Sequence, residues 1–137
     1  IMHMKGEPSE MQKNPSYVNV VSEVIQFLRE RALFAIGNGI KKDLIAIDPG
    51  IGFGKKIQHN IQILKELSSF RSLGFPIVLG ASRKGFIGEI LNKNVNERLI
   101  GSVSTALIAA INGAKILRVH DVKETKEALQ IFEELGR

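Results

Sequence analysis

The amino-acid sequence predicts an α/β domain in which parallel strands alternate with helices. Two runs, "LIAI" at 44–47 and "PIVLG" at 76–80, have the apolar, branched composition of strands that are buried on both faces. Helically spaced apolar residues separate these runs, and no hairpin turn signal joins them. A strand–helix order of this kind predicts a parallel sheet with right-handed crossovers.

The first half of the chain predicts two strand–helix units. A strand in "IMHMK" is followed by a helix over residues 16–36 that Gly37 and Gly39 end. The apolar stripe of this helix comprises Tyr17, Val20, Val21, Val24, Phe27, Leu28 and Phe34. After "LIAI", Asn60 is the predicted N-cap of a second helix, which ends near Gly74 and Pro76.

The second half repeats this order. "PIVLG" leads to a short helix from about Lys84 to Leu91, and "RLIGSVSTALIAAING" predicts a deeply packed helix capped by Asn112 and Gly113. "KILRV" is the last strand. A capping box of Asp121 and Glu124 opens a final helix. Its inward residues are predicted to be Ala128, Ile131, Phe132 and Leu135.

Four parallel strands leave two architectures open. An open doubly wound sheet fits, and so does the second half of a TIM barrel, since a whole barrel takes about 250 residues. The chain begins inside a predicted strand. We therefore expect residues 1–137 to be a single partial domain of a longer protein.

Composition narrows the function classes. The chain has 137 residues, of which 44% are hydrophobic and 24% charged, and these are ordinary globular values. No apolar run has the length of a membrane span, so we expect no membrane partner. The absence of cysteine excludes disulfides and suits the cytoplasm. A net charge of +5, spread along the chain, allows anionic substrates and disfavours nucleic acid.

Polar and cationic residues follow the end of each predicted strand. They are His3, Met4 and Lys5 after the first strand, Asp48 after the second, Gly80, Ser82, Arg83 and Lys84 after the third, and Arg118, His120 and Asp121 after the fourth. Ligands bind at the carboxyl ends of strands in both architectures. The sequence therefore predicts a site at this edge of the sheet.

Two of these groups have competing interpretations. Asp48 fits either an Asp-Pro-Gly turn or an acceptor for the paired N–H donors of a ligand. Arg83 and Lys84 stand at a predicted helix start, where the dipole disfavours cations. An anion or ligand carbonyl there explains them better, and it would also attract the N–H groups of Gly85 and Phe86.

The residues at the end of the last predicted strand are assigned to ligand binding, whereas the first histidine is assigned to packing. Alternation places Arg118 and His120 on one face and Val119 on the other, so that the two cationic side chains can clamp a phosphate. Asp121 is then a helix N-cap. His3, between two methionines, is interpreted as a packing residue.

The glycines of "DPGIGFGKK" do not make a nucleotide motif. Gly50 and Gly54 are one residue too close for a P-loop, and Lys56 occupies the position of its Ser or Thr. Gly50, Gly52 and Gly54 are also too evenly spaced for the dinucleotide fingerprint.

Five motifs together resemble a known family. "MHMKGEPSEMQ", "DPGIGFGK", "GASRKGFIG", "ERLIGS" and "RVHDV" occur in this order and spacing in dihydropteroate synthases. The chain resembles the second half of that family from end to end. The resemblance implies a TIM barrel that joins p-aminobenzoate to a hydroxymethyl-dihydropterin diphosphate, giving dihydropteroate and pyrophosphate in folate biosynthesis.

The resemblance also implies the role of each site residue. Asp48 would pair with the pterin amino and ring nitrogens, and Lys84 would bond the pterin and face p-aminobenzoate. Arg118 would stack near the pterin and, with His120, hold the diphosphate. These three basic residues, Lys84, Arg118 and His120, are the candidate catalytic group. The other implied substrate-binding residues are Met2, Gly52, Phe53, Gly80, Ser82, Arg83 and Gly85.

Two departures from the family pattern matter. Many relatives have Ser where this chain has Gly85, which leaves only a backbone N–H for the p-aminobenzoate carboxylate. The family's first half, with its magnesium-holding asparagine, is absent. We therefore expect Mg²⁺ to bind through the diphosphate and that first half, with no metal ligand in this chain, and the isolated chain to have little activity.

The resemblance further implies a homodimer and a sulfonamide target. Three alternatives remain open. They are a non-catalytic pterin-binding or assembly partner, a methyltetrahydrofolate-binding methyltransferase domain, and a generic phosphate-binding barrel half.

Overall fold

A computed structural model of the chain describes residues 1–136. The helices are α1 (Val20–Gly37), α2 (Ile57–Lys65), α3 (Gly85–Leu91), α4 (Leu99–Ile111) and α5 (Val122–Leu135), with 3₁₀ turns at Lys42–Leu44, Leu67–Leu73 and Val95–Glu97. The strands are β1 (Ile77–Leu79) and β2 (Ala114–Leu117). The predicted α/β class with parallel strands is confirmed.

Four extended segments lie side by side in chain order. β1 and β2 pair in parallel, and Ile47 forms a single parallel bridge with Ile77. Met2 forms another with Asp48. The first two predicted strands are therefore reduced to isolated bridges, held by hydrogen bonds such as His3 N–H to Asp48 O at 3.0 Å.

The core lies between this layer and the helices. Its largest fully buried side chains come from α1, α2, the following 3₁₀ turn and the central segments, and include Leu28, Ile47, Ile63, Phe70, Ile77 and Leu79. All-apolar strands bury both faces, which explains why "IAI" and "IVL" contribute most of their side chains to the core.

The helix starts differ from the predicted ones. α1 begins at Val20 behind an Asn19 cap, so Tyr17 precedes the helix, and Phe34 is exposed rather than part of the buried stripe. α2 begins at Ile57, so Asn60 is not its N-cap. Asn60 is instead buried inside the helix, and its side-chain oxygen accepts the Gly52 N–H of the loop at residues 49–54, which we call the glycine loop.

The predicted packing of the last two helices, α4 and α5, is wrong. α4 buries only its small residues Ser102, Ala106 and Ala109, which allow close approach, while Ile100 and Ile108 are 71% and 51% exposed. In α5 only Thr125 is buried. The predicted inward residues are half-buried (Ala128 and Phe132) or exposed (Ile131 and Leu135). No helix within residues 1–136 combines the length and the apolar content needed to cross a bilayer.

Candidate functional site

A hollow of about 230 Å³ opens where β1 and β2 end. Its walls are Phe53, Gly80, Ser82, Lys84, Arg118, Val119 and His120, and we call it the cationic hollow. Six of these seven are residues that the sequence predicted for the site. Val119 was predicted to face away. It lines the hollow because β2 ends at Leu117, so the alternation of a regular strand does not extend to it.

Lys84 crosses from the end of β1 to the glycine loop. Its Nζ donates to the Ile51 carbonyl at 2.8 Å and lies 4.0 Å from the centre of the Phe53 ring. Burial lowers the pKa of Lys84, and the nearby Arg118 charge lowers it further, while Asp48 opposes both. The amine is thus held between an aromatic face and a carbonyl, in contact with the open volume.

The Arg118 side chain reaches the hollow by passing over Gly80, which has no side chain. Its backbone N–H donates to Leu79 O at 2.9 Å, which anchors it beside β1. A Cβ added at Gly80 would lie 2.9 Å from one guanidinium nitrogen of Arg118, closer than real Cβ atoms approach. Gly80 therefore leaves the space that the guanidinium occupies.

His120 is oriented by Ser82. The buried Ser82 Oγ lies 3.0 Å from His120 Nδ1 and accepts the His120 backbone N–H at 3.2 Å. These contacts fix the ring and leave its Nε2 edge available. Ser82 therefore contributes to the site by holding the His120 ring in place.

Asp48 lies next to the cationic hollow without lining it. Its Oδ1 accepts the Gly50 N–H at 2.7 Å, which is the turn that the sequence allowed. Burial raises the pKa of this carboxyl, while Arg118, Lys84 and Lys55 act in the opposite direction. Within residues 1–136, no cation comes within ion-pair distance of it. Its remaining lone pairs can accept hydrogen bonds from a ligand.

Arg83 does not face the hollow as its place in the motif suggested. Its Nη2 and Nε lie 2.5 Å and 3.1 Å from the two carboxyl oxygens of Asp121. Asp121 consequently makes no side-chain cap at α5, and the predicted capping box does not form. The physical reason is that the guanidinium offers the carboxylate a bidentate partner, which is stronger than a backbone N–H.

Three other predicted residues lie near the hollow without lining it. Met2 is exposed and pairs its backbone with Asp48. Gly52 packs against the Lys84 side chain, and its N–H donates to Asn60 Oδ1 at 2.8 Å. Gly85 begins α3, with open space where a Cβ would be.

The structure adds residues that sequence reasoning missed. Lys55 is buried, and its Nζ lies 2.8 Å from His3 Nδ1. His3 was interpreted as a packing residue, and it does pack edge-on against Phe27 with ring centres 4.9 Å apart. A lysine directly after a loop in which every second residue is glycine was the available signal, because such a loop has few side chains of its own to hold it.

The described residues do not form a metal centre by themselves. Across residues 1–136 there is no group of three or more His, Asp or Glu side chains that could hold a metal ion. Asp48 and Asp121 are separate carboxylates near the hollow: the electrostatic neighbours of Asp48 are cations, and Asp121 is paired with Arg83.

Comparisons with known proteins agree with this geometry. A family model described as pterin binding enzyme matches residues 1–120. The dihydropteroate synthase of Haemophilus influenzae is 50% identical over 97% of this chain and 48% of its own length. The chain therefore spans about half the length of the curated relatives it matches.

Solved structures match over the same extent. Yersinia pestis dihydropteroate synthase, in a sulfonamide drug complex, superposes with a TM-score of 0.95 at 43% identity, over 98% of this chain and 49% of that one. The Xanthomonas albilineans enzyme in complex with 7,8-dihydropteroate gives a TM-score of 0.90 at 43% identity, over 98% of this chain and 49% of that one. With the family motifs, the hollow and these matches in agreement, the chain belongs to the family of pterin binding enzymes.

Proposed function

We propose that this chain forms the second half of a TIM barrel in a dihydropteroate synthase of folate biosynthesis. The supporting observation is the cationic hollow, which Phe53, Lys84 and Arg118 line together, with the Lys84 amine over the Phe53 ring. The charges of both cations act against the burial that raises the pKa of the adjacent Asp48. One acid, an aromatic face and several cations suit a substrate that joins a heterocycle to a diphosphate.

The order of the segments supports the barrel. Met2 pairs with Asp48, Ile47 with Ile77, and β1 with β2, so each segment neighbours the next one in the chain. Consecutive strands are neighbours in a TIM barrel, whereas a doubly wound sheet reverses its order at a switch point. The match to about half of each solved relative is consistent with a half-barrel.

Asp48 is the residue proposed to form hydrogen bonds with the edge of the pterin ring. One carboxyl oxygen accepts the Gly50 N–H, which fixes the plane of the group. The other oxygen is then free to take a ring N–H or amino group. Phe53 and Lys84 would contact the ring face, and Lys84 would also face p-aminobenzoate, as would the Gly85 N–H.

Arg118 and His120 are the proposed diphosphate holders. In the reaction, the bond between the pterin methylene carbon and the diphosphate oxygen breaks, and negative charge develops on the departing pyrophosphate. Preorganised cations and hydrogen-bond donors stabilise such charge. The amine nitrogen of p-aminobenzoate then bonds to the methylene carbon and releases its proton to solvent, so no protein nucleophile is required.

Magnesium, dimerisation and location complete the proposal and rest on the family resemblance. Since the described residues make no metal centre, we assign Mg²⁺ to the diphosphate and to residues outside this chain, and no step above depends on it. A homodimer in the cytoplasm, inhibited by sulfonamides, is the expected form of the intact enzyme.

The test is product formation by the protein that carries this chain. Incubation with 6-hydroxymethyl-7,8-dihydropterin diphosphate and p-aminobenzoate should yield dihydropteroate and pyrophosphate in equal amounts. Pterin binding without product would instead favour the non-catalytic alternative, and binding of methyltetrahydrofolate would favour the methyltransferase domain. The isolated 137-residue chain, assayed in parallel, should show little turnover.

A further inference from the structure

Lys55 is a buried cation for which the proposed reaction has no use. Its side chain is 3% exposed, and its Nζ lies 2.8 Å from His3 Nδ1, 2.9 Å from Gly50 O and 3.0 Å from Phe53 O. An ammonium group has three donors, so these three acceptors satisfy it completely. The partners belong to two segments of the chain, the glycine loop at 49–54 and the first segment at 1–5.

The glycine loop needs such an anchor. Gly50, Gly52 and Gly54 all have positive φ, at 71°, 80° and 62°, a conformation that glycine adopts readily but that leaves these three positions without side chains to pack. A Cβ on Gly50 would collide with the His3 carbonyl, and one on Gly54 with the Lys5 carbonyl. The loop is therefore pressed against the first segment backbone to backbone.

We propose that Lys55 and His3 form a positioning bridge that fixes the 49–54 loop against the first segment and so sets Phe53 at the wall of the cationic hollow. The inference rests on the proposed function, because it assigns the bridge to the pterin subsite. Lys55 and His3 are then positioning residues. Neither lines the hollow, and both act through the loop backbone.

The protonation states are compatible with the bridge. Burial, and then the charges of Lys55 and Lys5, lower the pKa of His3 to about 4, so its ring is neutral near pH 7 and Nδ1 can accept a hydrogen bond. Burial also lowers the pKa of Lys55 to about 7, while Asp48 favours its charged form. The carbonyl acceptors of Gly50 and Phe53 further favour the ammonium form.

Two substitutions at His3 separate a bridge from simple packing. His3→Asn keeps an acceptor, because Asn Oδ1 occupies the place of Nδ1 on Cγ, but it loses the ring contacts with Phe27 and Tyr17. His3→Leu keeps apolar volume and loses the acceptor. The bridge predicts the larger functional loss for Leu, and packing alone predicts the larger loss for Asn.

The measurement is the KM for the pterin diphosphate and kcat in the protein that carries this chain, with Tm recorded for each variant. His3→Leu should raise KM by about tenfold or more, since a hydrogen bond to a charged group is lost. His3→Asn should stay near the wild-type KM even where its Tm is lower. A KM that follows Tm across both variants, or that changes in neither, would overturn the proposal.

Lys55→Met provides an independent arm, with exposed Lys56→Met as the matched control. Amide hydrogen exchange at residues 50–54 should accelerate by about tenfold in Lys55→Met and not in Lys56→Met, while exchange in α1 stays unchanged. Unchanged loop exchange would refute the bridge. This arm needs no turnover, so a wild-type protein that forms no dihydropteroate would defeat the proposed function while the bridge is still tested.

Discussion

Arg83 and Asp121 form a bidentate ion pair that links the loop after β1 to the start of α5, with Nη2 and Oδ1 2.5 Å apart. The backbone of Arg83 has φ = 56°, the left-handed region that residues other than glycine seldom adopt. Ser102 Oγ accepts its N–H at 2.8 Å, and Arg98 donates to its carbonyl at 2.9 Å. This conformation directs Lys84, the next residue, towards the cationic hollow.

Asp121→Ala should therefore weaken substrate binding without abolishing folding. The ion pair lies near the surface, so its loss should raise the KM of either substrate by less than about tenfold. Steady-state kinetics on the protein that carries this chain measures the effect. Glu127→Ala is the matched control, since it breaks the fully exposed pair between Lys123 and Glu127 on the same helix. An equal KM in both variants would show that the Arg83 pair does not position Lys84.

Asp48→Asn should reduce pterin affinity while leaving stability intact. The substitution keeps an oxygen for the Gly50 N–H but turns one ligand acceptor into a donor, which should cost about tenfold or more in affinity. Because burial raises the pKa of Asp48, the folded state holds this proton more tightly than the unfolded state does. The ionised carboxyl therefore costs stability at neutral pH, and its removal should not lower the free energy of unfolding.

The same shift predicts a pH dependence. The Asp48 contribution to the free energy of unfolding should decrease as pH rises from the usual carboxyl range through its raised pKa. Pterin affinity should change in the opposite sense, since only the ionised acid accepts two N–H donors. Titrating the affinity for a pterin across mildly acidic pH, in wild type and Asp48→Asn, checks both signs. A wild-type affinity that is flat with pH would contradict the pairing.

The residues that line the site were predicted from the sequence better than the residues that hold them in place. Gly80 and Arg118 directly follow strand ends, Lys84 lies in the loop after β1, and parallel strands bring such residues to one edge. The partner of Arg83 could not be predicted, because Asp121 lies 38 residues away and its carboxylate could equally have capped its own helix, α5. Asn60 was misplaced for a similar reason. Its local pattern fits a cap, but the glycine loop uses its side chain.

The packing of the last two helices, α4 and α5, was predicted wrongly for a different reason. Periodicity identifies an apolar face, and α4 has apolar or small residues all round. Only the side with Ser102, Ala106 and Ala109 contacts the rest of the described chain closely. Sequence pattern cannot choose between two apolar faces, since that choice depends on which neighbour approaches.

Arg118→Ala should affect ligand binding far more than folding. The side chain is exposed, so truncation should change the free energy of unfolding by no more than about 0.5 kcal/mol. Affinity for the pterin diphosphate should fall by about tenfold to a hundredfold, the usual effect of losing a charged hydrogen-bond donor. Calorimetry and thermal unfolding measure the two quantities separately. Lys115→Ala, at an exposed cation within β2, just before Arg118, is the control, and parallel losses in both variants would argue against a diphosphate role.

Gly85→Ser should strengthen p-aminobenzoate binding. A Cβ at Gly85 meets no atom within 4 Å, and its φ is not in the positive range, so serine fits without strain. The hydroxyl would stand at the first position of α3, beside the backbone N–H proposed to meet the substrate carboxylate. One added hydrogen bond predicts a several-fold lower KM, roughly threefold to tenfold, for p-aminobenzoate alone.

Gly85→Ala separates that hydroxyl from the loss of glycine flexibility. Both substitutions should raise Tm slightly, because each restricts the unfolded chain. Only serine should lower the KM for p-aminobenzoate, and neither should change the KM for the pterin diphosphate, which binds on the far side of Lys84 in the proposed arrangement. A KM that falls equally for alanine and serine would assign the effect to helix rigidity. The carboxylate of p-aminobenzoate would then have to lie elsewhere than at the start of α3.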